Sequence, residues 1–229
     1  MRKLASNVIT IARKNIGYHE KQSNSQLDSF TANAGDRNFT KFARDLAEAG
    51  FFNASKQGFE WCAVFVNWCF WILCGKDREA TEKILCQEGP YAAGCEWAAD
   101  YFDRHGRLDH TPQLGDQAFF NNRDHTGIVS NVDGDDVWII EGNSDNMVEE
   151  NKYNLNSRGW RPVEFGHPLY DDEEDEYMKR YHSIEELPGY AKPVIQALID
   201  CGALHGRTDG DLDLSEDMVR TIVILSKAK

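Results

Sequence analysis

Residues 61–74 read WCAVFVNWCFWILC, and Gly75 follows them. Drawn as a helix, this stretch is apolar on nearly every side, which is typical of a helix that is buried all round. Gly75 is a residue type that commonly ends a helix. Asn67 interrupts the stretch, which is shorter than the ~20 apolar residues needed to span a bilayer. The stretch therefore predicts the buried central helix of a globular domain.

The sequence pattern around this helix changes from helical to extended along the chain. Further helices are predicted at residues 1–16, 42–49 and 93–104. Beyond them, runs rich in β-branched and aromatic residues alternate with turn residues. These runs predict strands at residues 115–121, 126–132 and 136–141. Helices followed by strands favour an α+β domain.

An acidic run divides the chain. Residues 171–176 read Asp-Asp-Glu-Glu-Asp-Glu, and a run of like charges repels itself and is typical of a solvated linker. We therefore expect a first domain at residues 1–170, an acidic linker at 171–180 and a small helical module at 181–229. In the module, Ser215 is placed to cap the N-terminus of a last helix.

The composition narrows the class of protein. The 229 residues are 41% hydrophobic and 28% charged, which is ordinary for a soluble globular chain. The net charge is −13, from 25 basic and 38 acidic residues, so we expect neither a nucleic-acid nor a membrane partner. The six cysteines form no C-x-x-C pair and no zinc-finger spacing, which favours reduced thiols in a cytosol. The N-terminal segment lacks the pattern of a signal peptide, so synthesis in the cytoplasm is expected.

Cys62 is a candidate nucleophile because of its place at the start of the central helix. Unpaired backbone N–H groups and the positive end of the helix dipole stabilise a thiolate there. The competing interpretation is that a buried cysteine packs as a small apolar residue. We expect that role for Cys69 and Cys74, which lie deeper in the same helix.

A predicted hairpin carries a candidate base. His125 opens one strand, and Glu141 and Asn143 lie at the end of the next, beyond a turn signal at residues 133–135. With a three-residue loop, His125, Glu141 and Asn143 share one face, and Glu141 or Asn143 can orient the imidazole. A two-residue turn would move Glu141 to the opposite face. The sequence leaves both registers open.

Four short motifs follow one another in the first 170 residues. They are WCAVFV at 61–66, GDQAFF at 115–120, HTGIV at 125–129 and IEGNS at 140–144. Their order and spacing resemble the CHAP family, the cysteine- and histidine-dependent amidohydrolases and peptidases of peptidoglycan. The ending GHPLY at 166–170 extends the resemblance. It implies a papain-like α+β fold in which the cysteine helix packs on an antiparallel sheet.

The resemblance also assigns roles to residues. It makes Cys62 the catalytic cysteine and His125 the catalytic histidine, with Glu141 as the acidic member and Asn143 as a polar accessory. Gln57 is a candidate second oxyanion donor beside the Cys62 backbone N–H, because papain-like enzymes often place a glutamine shortly before the cysteine. The residues that bind substrate are not identified by the resemblance.

We expect no metal and no cofactor. Some members of the family bind calcium near the N-terminus, but the acidic residues here, Asp28 and Asp36, form no recognisable loop. Calcium therefore stays an open possibility without a sequence motif to support it.

The resulting hypothesis is a peptidoglycan hydrolase of the bacteriophage endolysin type, an antimicrobial enzyme that waits in the host cytoplasm and acts at the bacterial wall. It would cleave the N-acetylmuramoyl-L-alanine amide, which we favour, or a peptide bond of the stem or bridge. The alternatives are an intracellular cysteine peptidase or deamidase acting on protein, and a wall-binding module without turnover. The C-terminal module could bind wall or promote self-association.

Overall fold

The computed structural model describes residues 3–88, 93–171, 180–205 and 211–227. The chain divides into two compact units, Met1–Asp171 and Asp172–Lys229. Most of the predicted acidic linker, residues 172–179, lies outside the described residues.

The first unit contains helices and one antiparallel sheet, which confirms the predicted α+β fold. Its helices are α1 (Ala5–Arg13), α2 (Lys41–Glu48), α3 (Cys62–Leu73), α4 (Arg78–Ile84) and α5 (Cys95–Arg104). Its strands are β1 (Leu108–Asp109), β2 (Gln117–Phe120), β3 (Thr126–Asp133), β4 (Asp136–Ser144), β5 (Met147–Asn154) and β6 (Pro162–Gly166). The strand order is β1-β6-β2-β3-β4-β5.

Helix α3 is the centre of the core, as its sequence predicts. Ten of its twelve residues are buried, and it packs against β3, β4 and the helices around it. The residue before it, Trp61, is fully buried and donates a hydrogen bond from Nε1 to Glu20 Oε2 over 2.8 Å. Glu20 in turn accepts from the Asn38 backbone N–H at 2.8 Å. These bonds fix the start of the helix, and with it the position of Cys62.

The tip of the β3–β4 hairpin adopts the two-residue turn. Asp133 pairs with Asp136, and Gly134, the first turn residue, has φ of 59°. A glycine with positive φ at that position is typical of a type II′ turn. Continued without interruption, this register would put Glu141 on the face away from His125.

A β-bulge restores the other register before the strands reach the site. It lies between Val129 and Asn131 of β3, and beyond it Gly127 pairs with Glu141. One inserted residue shifts the pairing by one position, and a shift of one position exchanges the two faces. Glu141 therefore lies on the face that carries His125, although the turn itself has two residues.

Several elements differ from the sequence prediction. Helix α1 is shorter than the helix predicted at residues 1–16, and Ile16, which lies beyond its end, is 39% exposed. Strands β5 and β6 and helix α4 have no predicted counterpart. Strand β5 is an edge strand that buries only Val148, so its sequence lacks the alternation that marks a strand.

The second unit has its own small core. Its described elements are β7 (Arg180–Tyr181), α6 (Lys192–Asp200), β8 (Leu214–Ser215) and α7 (Glu216–Lys227). The Met218 backbone N–H donates to Ser215 Oγ at 3.3 Å, which is the predicted cap. No helix in the described ranges is long and apolar enough to cross a membrane.

Candidate active site

Cys62 lies at the first position of α3, below a cavity of about 410 Å³. The residue before it, Trp61, makes no side-chain cap bond. The first backbone N–H groups of α3 can therefore donate to an acceptor at the N-terminus of the helix. The Ala63 backbone N–H donates to the Cys62 sulfur. The sulfur is thus held at the positive end of a helix, at the floor of an open groove.

His125 joins the cysteine to an acidic partner. Its Nε2 lies 2.7 Å from Glu141 Oε2, which leaves Nδ1 as the ring nitrogen available to Cys62. The imidazole is packed edge-on against Phe120, with ring centroids 5.0 Å apart, and Trp160, which stacks on Phe120, lies 6.1 Å from the imidazole. These rings fix its orientation and shield its bond to Glu141 from water.

The two proposed catalytic groups alter one another's protonation. A hydrogen bond from Cys95 lowers the pKa of Cys62 most, burial opposes this, and hydrogen bonding and charge from His125 help lower it from 9.0 to about 5. Burial lowers the pKa of His125, but hydrogen bonds and charges from Cys62 and Glu141 outweigh it and raise the pKa to about 10. Between these values the favoured state is a thiolate beside an imidazolium.

The Glu141 carboxylate is buried and fully engaged. While Oε2 accepts from His125, Oε1 accepts from the Tyr153 hydroxyl at 2.8 Å and from Asn151 Nδ2 at 3.3 Å. Burial, followed by the charge of Glu141, raises the pKa of Tyr153, so this hydroxyl stays a hydrogen-bond donor. A buried charge is tolerated when it is paired and hydrogen-bonded, as Glu141 is.

Asn143 and Gln57 are placed differently from Glu141. Asn143 lies in an irregular part of β4 with φ of 60°, and the partner of His125 Nε2 is Glu141. The Gln57 side chain accepts from the Thr40 backbone N–H and donates to the Thr40 carbonyl, both at 2.8 Å. It braces the segment before α2, and the groove at Cys62 is lined by its neighbour Lys56. This geometry does not support Gln57 as an oxyanion donor.

The groove contains a second cysteine. Cys95 is the first residue of α5, and its Sγ lies 3.5 Å from Cys62 Sγ. Both are free cysteines. The exposed rim of the groove includes Glu60, Glu96, Trp97 and Asp124.

Asp28, one of the two acidic residues considered for calcium, is paired with an arginine. Asp28 is held by Arg44 through two hydrogen bonds of 2.9 and 2.7 Å, so a guanidinium already neutralises its charge. The described residues include no group of three or more His, Cys, Asp or Glu side chains that could hold a metal ion.

Sequence reasoning missed Cys95, Tyr153 and Asn151. Cys95 is 33 positions from Cys62, and no local pattern predicts that the starts of two helices meet. Tyr153 and Asn151 lie on the unpredicted strand β5. Asn151 and Tyr153 are two positions apart and so share one face of a strand. That spacing, on a strand next to the one that carries Glu141, is the signal that could have identified them.

Comparisons with known proteins bear on the same residues. Residues 54–143 match the family model described as the CHAP domain. The matched range includes Cys62, Cys95, His125 and Glu141. Neither the curated proteins nor the solved structures give a significant match.

Proposed function

We propose that the chain, whose residues 54–143 match the CHAP domain, hydrolyses amide bonds of bacterial peptidoglycan with Cys62 as nucleophile and His125 as general acid and base. The observation that carries this proposal is the run of contacts from Cys62, which lines the groove, through His125 to the buried Glu141. A nucleophile, a base and a group that orients the base are the parts that covalent amide hydrolysis needs.

The proposed reaction begins from the ion pair. The Cys62 thiolate attacks the amide carbonyl carbon, and the backbone N–H of Cys62 donates to the developing oxyanion. The His125 imidazolium then gives its proton to the leaving amine as the C–N bond breaks. Neutral His125 next takes a proton from water, and the resulting hydroxide attacks the thioester. The C–S bond breaks to release the carboxylic acid, which ionises in solution, and to restore the Cys62 thiolate beside the His125 imidazolium.

Glu141 has an orienting and electrostatic role in this scheme. Its bond to Nε2 holds the imidazole so that Nδ1 faces the sulfur, and its charge stabilises the imidazolium. Tyr153 and Asn151 hold the other carboxylate oxygen, so the carboxylate cannot rotate away from His125 without losing those bonds.

Among the amide bonds of the wall, we propose the one between N-acetylmuramic acid and L-alanine. Bonds of the stem or bridge are the second possibility. An endolysin of a bacteriophage, held in the host cytoplasm until the wall becomes accessible, remains our proposal for the biological setting. The second unit is proposed to bind the wall or to promote self-association.

Purified peptidoglycan tests the function directly. The wild-type protein, Cys62→Ala and the control Cys86→Ala are incubated with it, and the released fragments are analysed by mass spectrometry. We expect fragments with a free L-alanine amine from wild type and control, and none from Cys62→Ala. New ends inside the peptide would assign the endopeptidase activity instead.

Other outcomes favour the alternatives. Equal release by wild type and Cys62→Ala would reject Cys62 as the nucleophile. Intact wall together with cleavage or deamidation of proteins would favour the intracellular enzyme. Binding of wall without any released fragment would favour a module that lacks turnover.

A further inference from the structure

We propose that Cys95 is a positioning residue whose thiol donates a hydrogen bond to the Cys62 sulfur and holds it ready for attack. This inference rests on the proposed role of Cys62 as nucleophile. It adds a residue to the site that none of the four sequence motifs contains.

The geometry places the two sulfurs in direct contact. Their separation of 3.5 Å is much longer than the about 2.05 Å of a disulfide bond, and a thiol proton can lie between them. Both side chains are buried, at 5% and 9% exposure, and they pack together with Ala63. The contact is therefore part of the floor of the groove and not a chance meeting of surface side chains.

Two helices converge on this pair. Cys62 opens α3 and Cys95 opens α5, and neither helix has a side-chain cap at its N-terminus. The N-terminal end of a helix carries a partial positive charge. The N-termini of α3 and α5 therefore favour one negative charge on the pair of sulfurs.

The surrounding charges place the proton on Cys95. Cys62 receives the Ala63 N–H and faces His125, both of which favour a thiolate. Hydrogen bonding to Cys62 is the largest cause that raises the pKa of Cys95, followed by burial and by the charges of Cys62, Glu60 and Asp124. Cys95 therefore keeps its proton and acts as the donor, while Cys62 accepts.

Other charged groups line the same cavity. Lys56 and Arg123 contribute positive charge, and Glu96 contributes negative charge. Arg123 is already bound to Glu164 and Asp100 at 2.7 Å. These charged groups are unchanged by substitution of Cys95, so they cannot account for a difference between wild type and a Cys95 variant.

The donated bond has a mechanical consequence. With Cys95 on one side, the Ala63 N–H at its helix end and His125 on another side, the sulfur is held by three partners. The remaining direction faces the cavity, where a substrate carbonyl would lie. Loss of the Cys95 donor should leave Cys62 less acidic and less well oriented.

The test measures the thiol of Cys62 without any substrate. Iodoacetamide alkylation of Cys62 is followed by peptide-resolved mass spectrometry from pH 4 to 9, in the presence of a phosphine reductant that keeps both thiols reduced. The donor-free variants are Cys95→Ala and Cys95→Val. The donor-retaining variant is Cys95→Ser, and Cys86→Ala serves as a buried cysteine outside the pair.

We expect the alkylation midpoint to rise by about one pH unit in both donor-free variants, which corresponds to about 1.4 kcal/mol. The alkylation rate at pH 5 should then fall about fivefold. Cys95→Ser and Cys86→Ala should keep the wild-type midpoint. Thermal unfolding of each variant verifies that the measured protein is folded.

Two results would overturn the proposal. An unchanged midpoint in the donor-free variants would show that Cys95 does not act on Cys62. An equal rise in Cys95→Ser would show that packing, and not the donated hydrogen, is responsible. Because alkylation needs no wall, either result would leave the peptidoglycan assay to decide the proposed function independently.

Discussion

Gly127 lies directly across the β3–β4 ladder from Glu141, and its missing side chain leaves the space that the Glu141 side chain fills. A Cβ atom at position 127 would meet Glu141 Cγ and the Ile140 carbonyl oxygen at 2.8 Å, and Ile139 Cγ2 at 2.5 Å. The contact between His125 and Glu141 therefore requires a glycine at position 127 of β3.

The first prediction concerns this glycine. Gly127→Ala should displace Glu141 from His125 and lower wall-hydrolysis activity at least tenfold. Overpacking of this kind should also cost about 1–3 kcal/mol of stability. Activity is measured by clearing of a wall suspension and stability by thermal unfolding. Gly159→Ala is the control, because a Cβ there meets nothing within 4 Å. Equal activities for the two variants would show that a side chain at position 127 does not disturb the contact between Glu141 and His125.

The second prediction concerns the charge of Glu141. Because this carboxylate helps raise the pKa of His125, Glu141→Gln should lower that pKa. The imidazolium is lost as the pH rises through it, so the alkaline limb of the activity profile should move to lower pH by about 1 unit or more. The measurement is the rate of wall hydrolysis from pH 6 to 11. The exposed Glu79→Gln should leave that limb in place, and an unmoved limb in Glu141→Gln would contradict the ion-pair assignment.

The third prediction concerns the hydroxyl of Tyr153. Tyr153→Phe removes the 2.8 Å bond to Glu141 Oε1 and leaves the ring to pack against Phe120. We expect the free energy of unfolding to fall by about 1–2 kcal/mol, because the lost hydrogen bond is to a charged acceptor. We also expect a severalfold fall in activity. Denaturant unfolding and the clearing assay measure the two effects. Wild-type values for both would mean that the hydroxyl does not support Glu141.

Much of the fold could be predicted because apolar patterns are local. The run at 61–74 predicts α3 to within one residue at each end. The N-terminal boundary of α1 and the existence of β5 were not predictable, because one end of α1 is polar and β5 buries a single side chain. A pattern of apolar residues predicts only those helices and strands that bury a face.

The candidate site was predictable in part for the same reason. Cys62 and His125 stand at recognisable starts of elements. The contact between Glu141 and His125 depends on a β-bulge near Ser130. Neither turn residues nor hydrophobic periodicity in the sequence predicts that bulge. Cys95 depended on the packing of α5 against α3, which is a tertiary property.

The fourth prediction concerns the second unit. If it binds wall, removal of residues 172–229 should reduce the protein that sediments with peptidoglycan and leave the alkylation profile of Cys62 unchanged. The unchanged profile is expected because the residues that surround Cys62 belong to the first unit. Unaltered sedimentation would reject wall binding, and the elution volume of the full chain in size-exclusion chromatography then tests self-association.

The proposed mechanism depends most on the contact between the Cys62 sulfur and the His125 imidazole. Its most direct test is the pH dependence of Cys62 alkylation in wild type and His125→Ala, because the imidazolium helps lower the pKa of Cys62 to about 5. We predict a wild-type midpoint near that value and a midpoint at least about one unit higher in His125→Ala. The same midpoint in both proteins would show that the imidazole does not act on the sulfur, and would contradict the proposed pairing of Cys62 with His125.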